Sequence, residues 1–171
     1  ILHSQGWQIV LAGRTRSTLE ELRFKLDSVQ NSSLAEQVPA SPVHCFEVDA
    51  TQGDRVDECF QYASQTFGKI DTVINCVGSI LLKPAHLTSE REFREVLETN
   101  LFSAFHCVRN AGKYGTRGTS VVCVSTCAAH VGLANHEAIA AAKAGVEGLI
   151  RSAAATYAGK GIRFNAVAPG L

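Results

Sequence analysis

Short runs rich in β-branched and apolar residues alternate with longer helical patterns along almost the whole chain, with short connections between them. Trp7–Ala12, Val43–Val48, Ile70–Asn75, Ser120–Ser125 and Gly161–Val167 read as strands. Between them lie patterns of helical period over Thr18–Leu26, Asp54–Phe67, Thr88–Arg109 (one or two helices) and Glu137–Ala158. Leu19, Leu22 and Leu26 recur on one face behind a Ser17 cap, and Val56, Cys59, Phe60 and Ala63 do so in the next helix. Strands that alternate with helices in this way run parallel, each crossover carried by a helix. The expected architecture is therefore a doubly wound α/β fold, a parallel sheet with helices on both faces. The fourth run, from Ser120, is nearly all apolar, as suits a strand covered on both sides. Asn31–Pro42, polar and with two prolines, reads as a loop.

At 171 residues the chain has one domain's worth of sequence, and it contains neither an internal repeat nor a dividing linker. Sixteen basic residues balance sixteen acidic ones, so no net field favours nucleic acid or an anionic membrane. Its apolar runs fall short of the ~20 residues that span a bilayer. The six cysteines, Cys45, Cys59, Cys76, Cys107, Cys123 and Cys127, are scattered through apolar stretches with no Cys-x-x-Cys pair and no clustered histidines. That distribution predicts buried free thiols in a reducing compartment, a cytoplasmic location and no metal site.

A parallel sheet of this kind binds its ligand beyond the carboxyl ends of the strands. The residues placed there are Arg14 after the first strand, Asp49 after the second and Asn75 to Gly78 after the third. Ser125 and Thr126 follow the fourth strand, and Pro169 and Gly170 follow the fifth.

At these positions the chain resembles the short-chain dehydrogenase/reductase family, over essentially its whole length. Val73-Ile-Asn-Cys-Val-Gly78 is similar to the family's Asn-Asn-Ala-Gly segment, with Asn75 and Gly78 retained. Glu98-Thr-Asn-Leu101 resembles the segment carrying the family's structural and catalytic asparagine, here Asn100. Val122-Cys-Val-Ser-Thr126 resembles the serine strand, and Ala138-Ile-Ala-Ala-Ala-Lys-Ala144 falls on the Tyr-x-x-x-Lys helix. Gly161-Ile-Arg-Phe-Asn-Ala-Val-Ala-Pro-Gly170 is similar to the family's most recognisable stretch. The family's glycine-rich turn and its substrate loop have no counterpart here, and Ile1–Gly6 resembles the end of the helix that follows that turn. The expectation is a single, incomplete dinucleotide-binding domain over residues 1–171, with a gap where the family's central strand would run.

The resemblance implies an NADP-dependent oxidoreductase acting on a small carbonyl, hydroxyl or enoyl substrate, assembled as a homodimer or homotetramer. Oligomer contacts are expected through Arg91–Arg109 and Glu137–Ala158, helped by the small residues Ala140, Ala141, Ala144 and Ala153 to Ala155. Asn100, Thr126 and Lys143 are the implied catalytic residues. Arg14, Asp49, Asn75, Gly78, Lys143, Pro169 and Gly170 are the implied cofactor-binding set. Arg14 follows Gly13 rather than the acidic residue that would hold a free 2′-hydroxyl, which favours NADP, with NAD the other possibility. Asp49 either touches the adenine or caps the helix beginning near Gln52. The family's lysine holds the ribose and lowers the pKa of the tyrosine four residues before it. Lys143 fits that lysine, and four residues earlier stands Ile139, which has no proton to give. His136, two helical turns before Lys143, lies at the tyrosine spacing of the family's enoyl reductases, and a histidine can act as an acid near neutral pH. The family's dienoyl-CoA reductases also lack the tyrosine and keep the lysine. The alternative reading is a cofactor-binding protein that is catalytically weak or inactive, a sensor or oligomer scaffold.

Overall fold

The computed structural model describes residues 2–32 and 42–170, and these fall into two compact units, Ile1–Asp49 and Ala50–Leu171. In the first unit, a 3-10 turn at His3–Gln5 closes on Gly6, whose φ of 81° is readily adopted only by glycine. Strand β1 (Ile9–Gly13), helix α1 (Arg16–Ser32) and strand β2 (Val43–Glu47) follow, and the two strands pair in parallel, Ile9 opposite Val43 and Gly13 opposite Glu47. Val48 continues the ladder by donating to the Gly13 carbonyl at 2.8 Å. Leu19, Val43 and Val48 form the buried apolar contacts of this unit.

Helix α1 is longer than its periodicity predicts. It begins at Arg16, which places Ser17 inside the first turn rather than at the cap, and it continues through Asn31 and Ser32. Of the expected leucine stripe only Leu19 is buried; Leu26 is half-buried and Leu22 is exposed. The remainder of the expected Asn31–Pro42 loop, residues 33–41, lies outside the described residues.

The second unit holds α2 (Gly53–Phe67), β3 (Thr72–Asn75), α3 (Glu90–Leu97), α4 (Ser103–Tyr114), β4 (Ser120–Val124), α5 (Glu137–Tyr157) and β5 (Arg163–Val167). Its three strands form one parallel sheet in the order β3-β4-β5, so all three carboxyl ends point the same way. Along β4 the pleat turns Val121 and Cys123 fully inward, while Val122 and Val124 are half-buried. Helix α5 packs along β5, α4 lies against β3 and β4, and α2 packs on α4. The buried contacts come from Val108 and Ala111 of α4, Val146, Ile150 and Ala153 of α5, and Phe164 of β5.

The long pattern over Thr88–Arg109 resolves into α3 and α4 joined by a turn of π-helix at Glu98–Phe102. Ser89 and Glu92 form a reciprocal capping box at the start of α3. Among the described residues no helix is long and apolar enough to cross a membrane, and no three His, Cys, Asp or Glu side chains group as metal ligands. The cysteines are all free thiols; Cys59 and Cys123 are buried, but Cys76 is exposed, a correction to the expectation of uniformly buried thiols. It stands one residue past the end of β3, where the chain leaves the sheet.

Candidate active site at the carboxyl ends of the second sheet

Asn75 is the last residue of β3 and is buried. Its Oδ1 accepts from the Val77 backbone N–H at 3.0 Å, which turns the chain sharply away from the sheet. The turn delivers Gly78 beside two other candidate residues. A Cβ at position 78 would stand 2.9 Å from Asn100 Oδ1 and 3.4 Å from Lys143 Nζ. Glycine is required here by close approach, because any side chain would displace the asparagine amide or the lysine head.

Asn100 lies in the π-turn and is almost wholly buried. Its amide nitrogen donates to the Val96 carbonyl at 2.9 Å and to Ser79 O and Oγ at 3.2 and 3.1 Å, while its Oδ1 accepts from Ser79 N–H at 3.2 Å. One side chain thus fastens the wider helical turn to the loop after β3. The Val96 carbonyl, one turn before Asn100 in α3, accepts from that amide.

Lys143 enters from α5. Its side chain is buried, and Nζ donates to the Val124 carbonyl at the end of β4 at 2.7 Å. Burial pulls its pKa below the usual lysine value, and the neighbouring Cys123 and Cys76 thiols act weakly in the opposite sense. An ammonium has three protons, so one is committed to the strand and two can face a ligand.

Thr126 follows β4 and caps the short 3-10 turn Cys127–Ala129, its hydroxyl oxygen accepting from Ala128 N–H at 3.3 Å. The hydroxyl proton is not used in that bond and can donate to a carbonyl. The turn is tied to the end of β5 by the Cys127 N–H, which donates to the Pro169 carbonyl at 2.9 Å, and by Ser125 N–H on Val167 O at 2.7 Å. Pro169 and Gly170 are therefore joined to the strand end that carries Thr126, and a Cβ at Gly170 would meet open space.

Ile139 does not face an open cleft. It is buried in an apolar cluster with Val96, Ala138 and Ala142, and Leu81 and Leu97 pack against it. His136 occupies the N-cap of α5, where its Nδ1 makes a 2.7 Å contact with the Ala134 carbonyl. Arg14 and Asp49 belong to the first unit: Arg14 is exposed at the bend after β1, and Asp49 is half-buried after β2. The N-cap position of α2 is Gln52. A Cβ at Gly13 would lie 3.2 Å from Leu19 Cδ2, so helix packing also disfavours a larger residue before Arg14.

Sequence reasoning missed two participants. Ser79 is the exposed partner of Asn100, and Glu147, one helical turn after Lys143, is buried against Ser125. The i, i+4 spacing of Lys143 and Glu147 places both on one face of α5, and that was the available signal.

A family model described as enoyl-(acyl carrier protein) reductase matches residues 1–171. The chain belongs to the short-chain dehydrogenase/reductase family. Over 125 residues it is 39% identical to cis-4-hydroxycyclohexanecarboxylate dehydrogenase of Sinomonas cyclohexanicum, covering 71% of this chain and 50% of that protein. A Bacillus subtilis protein carried under the name 2,4-dienoyl-CoA reductase is 29% identical over 170 residues, 96% of this chain and 63% of the relative. Among solved structures, a protein from Burkholderia cenocepacia described as a dehydrogenase with bound NADP superposes with a TM-score of 0.86 at 28% identity, over 99% of this chain and 62% of that one. The chain thus spans about half to two thirds of the length of these short-chain dehydrogenase/reductase relatives, and its fold is the Rossmann-like α/β fold of the family, with parallel strands and flanking helices.

Proposed function

We propose that the intact protein is an NADP-dependent oxidoreductase of atypical short-chain type, acting on a small carbonyl, hydroxyl or enoyl substrate. In this reading residues 1–171 form a single dinucleotide-binding domain of a cytoplasmic homodimer or homotetramer. The observation that carries the reading is the approach of Asn100 Oδ1 and Lys143 Nζ to the bare backbone of Gly78, at 2.9 and 3.4 Å from where a Cβ would be. Such a cradle, with a lysine holding two uncommitted protons beside it, fits the ribose of a nicotinamide nucleotide. The Burkholderia cenocepacia relative with bound NADP supports the same reading.

The dinucleotide, when bound, supplies or accepts hydride; the side chains hold and orient. Lys143 donates to ribose hydroxyls while anchored on Val124 O. Asn75 and Gly78 shape the backbone beneath the nucleotide, and Pro169 and Gly170 border it. Arg14 takes the adenosine 2′-phosphate, and Asp49 contacts the adenine. Thr126 donates its hydroxyl proton to the substrate oxygen, and Asn100 maintains the loop after β3. Ile139 offers no proton, so the acid is His136 or water. The Bacillus subtilis relative is named for reduction of a dienoyl-CoA, which favours the enoyl end of the substrate range.

A second reading, a cofactor-binding protein without turnover, is favoured by the burial of Ile139 in an apolar cluster where the family's acid would stand. Fluorescence titration of the intact protein with NADPH and NADH, followed by a panel of carbonyl and enoyl substrates, separates the two. The leading reading expects tighter NADPH binding, a preference that Arg14→Ala reduces roughly 10-fold or more by deleting a charge-assisted contact, and turnover of at least one substrate. Equal affinities for the two nucleotides remove the NADP assignment. Tight binding without turnover favours the second reading.

A further inference from the structure

One buried acid in the second unit is unexplained by the proposed reaction. Glu147 is buried on α5, facing the end of β4. Its Oε1 accepts from Ser125 Oγ at 2.6 Å, and Ser125 is itself buried. Its Oε2 lies 2.9 Å from Nε2 of His130, the residue that ends the turn after Thr126, and 3.7 Å from the Arg151 guanidinium. One helical turn earlier, Lys143 holds the Val124 carbonyl at 2.7 Å.

Residues 124, 125 and 130 are thus gripped in succession by two side chains of one helix, and Thr126 lies inside the gripped segment. A buried carboxyl group is costly to desolvate, and replacing a buried polar pair as a whole with well-packed apolar residues is often neutral or stabilising. Stability alone therefore does not account for Glu147. What the arrangement does supply is placement: the strand end cannot slide along α5 without breaking bonds at both Lys143 and Glu147.

We propose that Glu147 is a positioning residue that, through Ser125 and His130, locks the end of β4 so that Lys143 and Thr126 are held in register for nucleotide and substrate. This rests on the functional reading above, in which Lys143 holds the ribose. Without Glu147 the strand end and its turn lose two of their three anchors on α5, and the Val124 carbonyl no longer aims Lys143 in a single direction.

The test is the affinity of the intact protein for NADPH, read by fluorescence titration beside the melting temperature, in Glu147→Leu, Glu147→Gln and Ser125→Ala. Glutamine keeps an oxygen for Ser125 and should stay within about threefold of wild type, whereas leucine, which leaves the buried Ser125 hydroxyl unpaired and so lowers the melting temperature, should still weaken NADPH roughly tenfold at a temperature where the variant stays folded. Ser125→Ala, which removes a single contact, gives an intermediate loss and serves as the informative variant if the leucine protein does not fold. Wild-type affinity in folded Glu147→Leu overturns the inference, as does wild-type affinity in Ser125→Ala when the leucine protein fails to fold. Loss in the glutamine variant equal to that in leucine also overturns it, because the retained hydrogen bond then has no effect. A wild-type protein that binds neither NADPH nor NADH overturns the functional reading itself and this inference with it.

Discussion

Asn100→Ala would remove the side chain that fastens the π-turn to the loop after β3. Three backbone groups lose a partner, and they are not equivalent. The Val96 carbonyl belongs to a buried residue and has no water to turn to, which costs about 1–3 kcal/mol. The Ser79 N–H and carbonyl belong to an exposed residue and can rehydrate, so each loses only a net hydrogen bond of about 0.5–1.5 kcal/mol. The combined loss is about 2–6 kcal/mol. For a domain of this size each kcal/mol moves the melting temperature by about 2–4 °C, so calorimetry of the intact protein should record a fall of roughly 4–24 °C. Asn100→Asp should do no better at neutral pH, because a carboxylate keeps the acceptor for Ser79 N–H but turns a second oxygen toward the Val96 and Ser79 carbonyls. A fall of less than 2 °C for alanine, or a wild-type melting temperature for aspartate, would refute the reasoning.

Gly78→Ala should weaken NADPH binding at least tenfold in a fluorescence titration, since the added methyl would stand 2.9 Å from Asn100 Oδ1; unchanged affinity would remove the cradle from the site. Ile139→Tyr places a larger, hydroxylated ring in an apolar cluster, so it should lower stability by about 1–3 kcal/mol in thermal unfolding. It should raise carbonyl-reductase turnover only if the ring leaves that cluster for the site. Glu92 is held down at about 2, first by its hydrogen bond from Lys83 and then by those from Ser89. Its contribution is therefore complete above pH 4.5 and lost as pH falls toward 2, so the destabilisation by Glu92→Gln should shrink across that window in acid titrations followed by circular dichroism. Peptide mapping after brief thiol labelling of the native protein should find Cys76 modified first. Burial shields Cys59 and Cys123 and pushes both up to about 11, and equally fast labelling of Cys123 would contradict the burial order.

The sequence by itself determined the order and kind of the elements, because periods of two and of 3.6 residues are written in neighbouring side chains. All five strands and the main helices are legible in that way, with strand ends displaced by one or two residues. Gly78, Asn100 and Lys143 could be singled out from short segments, and the structure brings those three together. What it could not show was how the Thr88–Arg109 pattern divides. A helical period looks the same on either side of a π-turn, and that turn is accompanied by an amide bond from Asn100 to Val96 and a loop held from 21 residues away. In the sequence Ile139 is only a missing acid; its burial depends on Leu81, Val96 and Leu97, which other elements deliver. Glu147 is one of many acids on helices until β4 docks on α5 and sets Ser125, 22 residues distant, against it. Local pattern reports which face of an element is apolar; the partner that each buried polar group meets is decided only when strands and helices distant in sequence close over it.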